Sequence, residues 1–264
     1  RAGYGMKIMS NLVIPYSVFQ TLYSVFDYLL NKETETFSIT FCTPYWIMWF
    51  IFSLIIWKIA LPYFIKIKFS IGIAIVFALL AGYMNNVGYS FGLSRTIVFF
   101  PFFLGGYYLD KKHLEPLFLK RNRIISFIIL FSAFVIVFCF AENLNPKWLF
   151  GSFSYHALGH VQWYSVFFRL AVFLIAILVG TAFLSIVPKS QLSFISDMGT
   201  RTMYVYLLHG FIVKLFVKLN FYSNINTRLE KLLLIVFGIL IAIMLSSSLI
   251  RKMIKLVVEP KRWN

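Results

Sequence analysis

Residues 94–110 read SRTIVFFPFFLGGYYLD, an apolar run that opens with an arginine. Pro101 removes a backbone donor within the run, and Gly105 and Gly106 leave a bare surface that another helix or a ligand can approach closely. Irregular backbone at membrane depth is tolerated only beside protein or a water-filled cavity. We therefore expect a short, broken membrane helix inside a bundle, with Arg95 near the mouth of a cavity. A kinked structural helix explains the run equally well, so both interpretations stay open.

The composition of the whole chain is that of an integral membrane protein. Of its 264 residues, 60% are hydrophobic and 13% are charged, and the mean hydropathy is +0.82. A soluble domain is nearer half apolar and a quarter charged. The formal net charge is +16, but polytopic proteins concentrate Lys and Arg in cytoplasmic loops, so we expect no nucleic-acid partner. The two cysteines, Cys42 and Cys139, form no motif, and we expect no metal site.

Apolar runs of about 17–25 residues predict an all-α, polytopic membrane helix bundle with about eight transmembrane helices in one domain, residues 1–264. The predicted spans are 8–30, 44–65, 69–84, 95–109, 124–141, 163–186, 203–219 and 232–250. Most of the 25 Lys and Arg residues then lie in loops on one side. This asymmetry places both termini in the cytoplasm.

The longest outer loop, residues 141–162, is rich in aromatic and polar residues and contains His156 and His160. Such a loop either folds over a site on the outer side or forms an aromatic belt at the membrane interface.

Ionisable side chains inside a membrane are costly, so each is a candidate functional residue. Arg169 lies between apolar residues in WYSVFFRLAVFL. We expect it to face the bundle interior and to meet an anion or backbone carbonyls, or else to form an ion pair with Glu142 or Asp27. His209, in TRTMYVYLLHGFIVKLF, either acts as a general base or holds a hydrogen bond between helices.

The loop 110–123, DKKHLEPLFLKRNR, carries five basic residues that include Lys111 and Lys112. It either docks the phosphates of a nucleotide-like donor such as coenzyme A or only sets topology and touches anionic lipid. No Walker loop, nucleophile elbow or dinucleotide fingerprint is present in the sequence. The residues alone therefore do not separate an enzyme from a transporter or flippase for a sugar-linked or anionic substrate, or from a structural membrane component.

Four motifs in register resemble the acyltransferase 3 family of membrane acyltransferases. Residues 94–110 resemble its Arg-…-Pro-Phe-Phe-Leu-Gly motif, and 44–59, PYWIMWFIFSLIIWKI, resembles its aromatic helix. Residues 199–211, GTRTMYVYLLHGF, resemble its late histidine element, and 7–20, KIMSNLVIPYSVFQ, its basic-to-apolar helix entry. The resemblance covers essentially the whole chain and is strongest to the fucose 4-O-acetylase-like branch.

The resemblance implies ten transmembrane helices in a full family member, so eight predicted spans fit a chain that lacks the first two. The family's catalytic histidine would then lie upstream of Arg1, and we expect this fragment to be inactive by itself. Arg95 matches the arginine of the Pro-Phe-Phe motif. The family's second arginine pair corresponds here only to Arg1 and Lys7.

The activity that the resemblance implies is transfer of an acetyl or similar acyl group from acyl-CoA to a hydroxyl of a cell-surface carbohydrate. It implies a multi-pass protein of a bacterial inner membrane, with membrane lipid, the carbohydrate acceptor and the acyl-CoA donor as partners and no bound cofactor. Arg95 or Arg169 would hold the thioester oxygen or a phosphate through charge-assisted hydrogen bonds. His209, Lys111 and Lys112 complete the set of candidate binding residues.

Overall fold

The computed structural model describes residues 5–6, 8–32, 37, 39–84, 92–140, 142–190 and 192–259. Over these ranges all regular structure is helical, as predicted, and no strand occurs. Arg1 and Lys7 lie outside the described residues. The eleven α-helices of this part are α1 (Ile14–Leu30), α2 (Trp49–Phe64), α3 (Ser70–Leu80), α4 (Leu93–Tyr108), α5 (Lys111–Leu114), α6 (Lys120–Phe140), α7 (Ser165–Ile186), α8 (Ser193–Gly199), α9 (Thr202–Lys218), α10 (Arg228–Leu245) and α11 (Ser248–Val258).

Each predicted span overlaps at least one of these helices, but the count of about eight spans stays a prediction. Three helical stretches are long and apolar enough to cross a membrane, namely Trp46–Phe64, Lys120–Phe140 and Ser165–Ile186. The pair Leu229–Leu245 and Ser248–Val258 qualifies only when taken together, and it is bent by 65°. The described residues thus hold three membrane-capable helices, or four if the bent pair is one span.

The expectation of a broken helix at Pro101 was wrong. Helix α4 continues from Leu93 to Tyr108 with the proline inside it. A proline deletes one helical hydrogen bond, but Pro101 is buried here together with Val98 and Leu104, and this packing holds the helix together. A methyl group added at Gly105 or Gly106 would meet no described atom within 4 Å, so no described helix approaches them closely.

The last predicted span, 232–250, is not one straight helix. Helix α10 ends at Leu245, and Ser247 begins α11 by accepting a hydrogen bond at its side-chain oxygen from the Ile250 N–H (3.4 Å). A serine in this N-cap position starts a new helix because it satisfies a free backbone donor of the first turn.

The chain forms two compact units, the first comprising residues 1–55 and 191–264. Its core is built around Tyr23, which is fully buried. The Tyr23 hydroxyl donates to the Leu207 carbonyl (2.8 Å), and its ring stacks on Phe211 with ring centres 4.0 Å apart. Gly210 makes this contact possible, because a side chain there would overlap the Tyr23 ring and hydroxyl.

The second unit comprises residues 56–190. Helices α3 and α4 pack together, as do α6 and α7. Ala78 on α3, Val98 on α4 and Phe173 on α7 form one buried cluster, so the three helices share a core. The loop between α6 and α7, called the outer loop after its predicted side of the membrane, folds onto this core. Two of the predicted functional residues, Arg95 and Arg169, bind it.

Candidate functional site

Arg95 and Arg169 both bind the outer loop of the second unit. Arg95 donates from Nε to the Phe150 carbonyl (3.2 Å) and from Nη2 to the Ser152 hydroxyl (3.4 Å). Arg169 donates from Nη2 to the Phe153 carbonyl (2.7 Å). The two arginines, distant in sequence, therefore hold one short segment of the loop.

Arg169 is the more deeply placed of the two, with 2% of its surface exposed. It also donates from Nη1 to the Ala78 carbonyl on α3 (3.4 Å). Backbone carbonyls are one of the partners that the sequence suggested for it, and they satisfy a buried guanidinium that is otherwise expensive. Arg169 thus ties α7, α3 and the outer loop together.

Tyr155 completes this arrangement and was not singled out from the sequence. The Arg169 guanidinium lies 4.7 Å from the centre of the Tyr155 ring, a cation–π contact. The Tyr155 hydroxyl donates to the Leu79 carbonyl (2.8 Å), and its N–H donates to the Gly82 carbonyl (2.7 Å). Burial raises the pKa of this hydroxyl to about 12, so it remains a protonated donor at neutral pH.

The outer loop itself is a folded element. The Ser94 hydroxyl donates to the Gly151 carbonyl (2.8 Å), and Gly151 has a positive φ of 63° and lies against the Phe99 ring, so a side chain there would be strained. Of the two loop histidines, His160 packs between the rings of Trp148 and Phe168. The loop therefore packs against the N-terminal ends of α4 and α7. The side of the membrane on which it lies stays a prediction.

A cavity of about 320 Å³ lies in the second unit between α2, α3 and α4. Its lining is almost wholly apolar and consists of Ile56, Trp57, Ala60, Phe64, Ala74, Phe77, Leu80, Ala81, Met84, Thr96, Ile97 and Phe100. The indole N–H of Trp57 donates to the Thr96 carbonyl (2.7 Å), so the polar edge of the ring is satisfied and its apolar face is left to the cavity. Such a cavity is suited to an acyl chain.

A second pocket, of about 270 Å³, lies in the first unit and is polar and aromatic. Its lining consists of Gln20, Ser24, Asp27, Tyr28, Phe37, Thr40, Thr43, Pro44, Tyr45 and Trp46. The buried Gln20 amide shapes it, because its nitrogen donates to the Thr40 and Thr43 carbonyls (2.7 and 3.0 Å) and its oxygen accepts from the Tyr45 N–H (2.9 Å). This role of Gln20 was also missed from the sequence.

Asp27 contributes a carboxylate to this pocket. It forms its ion pair with Lys214 (3.0 Å), a partner that the sequence analysis did not name. The Lys214 ammonium also lies 5.0 Å from the centre of the Tyr45 ring. The pocket therefore presents a fixed carboxylate beside aromatic surfaces, which can meet the hydroxyl groups and the apolar faces of a polar ring-shaped ligand.

His209 lies half-buried on α9 and bonds within its own helix. Its Nδ1 is 2.9 Å from the Val205 carbonyl, one turn earlier. A carbonyl only accepts, so this contact places the proton on Nδ1 and leaves Nε2 as the basic nitrogen. The described contact of Nδ1 therefore lies within α9 and does not join two helices.

Lys111 and Lys112 lie on the short helix α5, whose first turn is capped by Asp110. Lys112 forms an exposed ion pair with Asp110 (3.9 Å). Another basic residue of that loop, Arg123, donates from Nε and Nη2 to the Ser185 and Ile186 carbonyls (3.1 and 3.2 Å) and so covers the end of α7. Within the described ranges, no group of three or more metal-ligating side chains occurs.

Comparison with known proteins identifies the family. A family model described as an acyltransferase domain, that of acyltransferase 3, matches residues 4–251. No curated protein and no solved structure matches the chain. The match covers nearly the whole chain, including both arginines of the outer-loop site and both pockets, and the apolar helices agree with a membrane location. The chain therefore belongs to the acyltransferase 3 family, and it is a membrane protein of the acyltransferase class.

Proposed function

We propose that the protein transfers an acetyl or similar acyl group from acyl-CoA to a hydroxyl of a cell-surface carbohydrate. The observation that carries the proposal is the family match over residues 4–251. In this reaction the carbohydrate oxygen attacks the thioester carbonyl, a general base takes the hydroxyl proton, and the carbon–sulfur bond breaks to release coenzyme A as its thiol.

The apolar cavity of the second unit supports an acyl donor. Its walls offer no charged side chain and one hydroxyl, that of Thr96, which accommodates a hydrocarbon group and disfavours a hydrated one. Trp57 and Phe100 provide broad apolar faces at its sides. We assign the acyl group of the donor to this cavity.

The polar pocket of the first unit supports a carbohydrate acceptor. Asp27 accepts hydrogen bonds from hydroxyl groups, while the rings of Tyr28, Phe37 and Trp46 offer apolar surface for the faces of a sugar. Phe37 and Trp46 are about half exposed, so both rings are accessible to a ligand. We assign the acceptor to this pocket.

Arg95 and Arg169 act in this proposal as positioning residues. The pair fixes the outer loop through Phe150, Ser152 and Phe153. A loop held in one conformation keeps a reaction site in a productive geometry, and small displacements of such elements are costly in rate.

Deletion of the gene tests the proposal in cells. The surface carbohydrate of the deletion strain should lose an alkali-labile acyl ester, detected by mass spectrometry, and a plasmid copy should restore it. Surface carbohydrates with unchanged acylation in the deletion strain would refute the assignment of the acceptor class. Acylation of a membrane lipid or a protein in place of carbohydrate would keep the family's chemistry and overturn the acceptor.

A further inference from the structure

A basic pocket of about 310 Å³ lies in the first unit and shares no lining residue with the pocket assigned to the acceptor. It is found where α10 ends and α11 begins, and Arg201 at the start of α9 forms one wall. Its lining consists of Arg201, Ser248, Arg251, Lys252 and Lys255. Four of the five lining residues are cations, which is the composition of an anion site.

The two arginines of this pocket are held in place by carboxylates. Arg201 donates from Nη2 to both Asp197 oxygens (2.8 and 2.7 Å) and from Nη1 to the Ser246 carbonyl (3.0 Å). Arg251 pairs with Glu259 (3.4 Å). Guanidinium groups fixed in this way lose little conformational freedom when they bind a further anion.

The positive charge of the pocket is only partly balanced. Asp197 and Glu259 offset two of the four cations. Lys252 and Lys255 form no ion pair with any residue that the structure describes, and the buried Nε of Arg201 makes no hydrogen bond there. Two net positive charges in a concave surface attract an anion with several acceptor oxygens, of which a phosphate group is the usual biological example.

Helix α11 has the form of a helix that lies in a membrane interface. It is bent by 65° from α10, so it does not continue the direction of that span. Leu249, Met253 and Leu256 share one face by their i, i+4, i+7 spacing, and they are 67%, 70% and 61% exposed. Lys252 borders this face, so the helix presents apolar side chains directly beside its cations.

We propose that this pocket binds the phosphate group of an anionic membrane phospholipid, with the acyl chains of the lipid along Leu249, Met253 and Leu256. A soluble phosphate ester carries the same charge as the headgroup, but it has no acyl chains to contact the exposed apolar face. The loop charges predict that this end of the chain lies on the cytoplasmic side, where anionic headgroups attract basic segments. This lipid site does not depend on which acyl donor or acceptor the protein uses.

Lipid titration of the detergent-purified full-length protein, followed by native mass spectrometry, tests the proposal. We expect phosphatidylglycerol to bind at least tenfold more tightly than phosphatidylcholine. The variant Lys252→Gln/Lys255→Gln should weaken phosphatidylglycerol binding by on the order of 10- to 30-fold. Each basic residue near a membrane surface strengthens binding by about fivefold, and the variant removes two of them. The matched control Lys218→Gln/Lys231→Gln removes two exposed lysines of the first unit, on α9 and α10, that do not line this pocket, and it should leave affinity within about twofold.

Two outcomes would overturn the proposal. One is equal weakening by the control pair, because lipid would then respond to net charge and not to this pocket. The other is displacement of phosphatidylglycerol by an equal concentration of adenosine 3′,5′-bisphosphate, because the pocket would then serve a soluble phosphate ester. Circular dichroism of each variant shows whether it is folded, and the single changes Lys252→Gln and Lys255→Gln give a graded series if the double variant is not.

Discussion

Arg95 and Arg169 donate hydrogen bonds to Phe150 and Phe153, two carbonyls three residues apart in the same outer loop. Arg95 also donates to the Ser152 hydroxyl, and Arg169 also donates to the Ala78 carbonyl on α3. Both side chains therefore hold the backbone of the loop. Mutation of each arginine separates its contribution to stability from its contribution to activity.

Replacing Arg169 should destabilise the protein more than any other single change at this site. Arg169→Met leaves the partly buried Phe153 carbonyl without its charged donor, and the cost should be about 3 kcal/mol. Arg169→Lys keeps the charge but loses the forked guanidinium that donates to both the Ala78 and Phe153 carbonyls. Its loss of stability should therefore lie between those of the native protein and Arg169→Met. Thermal unfolding in detergent measures both, and a melting temperature unchanged in Arg169→Met would contradict the anchoring role.

Replacing Arg95 should affect activity more than stability, because this side chain is less buried than Arg169. Arg95→Ala frees the loop at Phe150 and Ser152, and we expect acyl transfer to fall at least tenfold while membrane insertion is preserved. Arg95→Lys should recover part of the rate by donating to one of the two oxygens. Full activity of Arg95→Ala in a steady-state transfer assay would remove Arg95 from the mechanism.

The contact between Gly82 and the Tyr155 ring predicts a sharp difference between two glycines. A methyl group at Gly82 would overlap the ring, so Gly82→Ala should cost about 1–3 kcal/mol through overpacking. Gly72 on α3 faces open space, and Gly72→Ala should be neutral or stabilising by up to about 1 kcal/mol because alanine is the better helix former. Similar melting temperatures for the two variants would show that Tyr155 does not lie on Gly82.

The cavity of the second unit predicts a dependence on acyl chain length. Ala60→Leu places a larger side chain in the cavity and reduces its free volume. The kcat/KM for donors with longer acyl chains should therefore fall at least tenfold, while that for acetyl-CoA changes less than threefold. Ala176→Leu, an exposed position on α7, is the matched control and should alter neither. Equal loss with all donors would show that the cavity does not hold the acyl chain.

The polar pocket of the first unit predicts a change in acceptor affinity alone. Trp46→Ala removes a half-exposed ring from its wall and should raise the KM for the acceptor about tenfold, with the donor KM unchanged. Trp163→Ala removes another exposed indole, one that does not line this pocket, and serves as the control. A change in donor KM with Trp46→Ala would contradict the assignment of this pocket.

The approximate positions of the long apolar helices followed from the sequence because they depend on local apolar runs. The sites depend on contacts between distant residues. Arg169 was predicted from the cost of a charge among apolar residues, but its partners Ala78 and Phe153 lie 91 and 16 positions away. Tyr155 and Gln20 carry no pattern that marks them, since a single aromatic or amide side chain is common in loops and helices.

The bend between α10 and α11 could have been predicted from the sequence. The serines at 246–248 precede an amphipathic segment, and a serine there is a typical N-cap. At Pro101 the sequence predicted a break that α4 does not have. The effect of a proline on a helix depends on the packing around it and not on the residue alone.

Acyl transfer by the purified full-length protein in liposomes tests the central claim most directly. Labelled acetyl-CoA is supplied together with a surface carbohydrate. Two quantities are measured: the label on the carbohydrate, and the side of the bilayer on which the carbohydrate is found. We predict an alkali-labile label on the carbohydrate, reduced at least tenfold in Arg95→Ala. Movement of the carbohydrate across the bilayer without any label would contradict this account and identify a transporter.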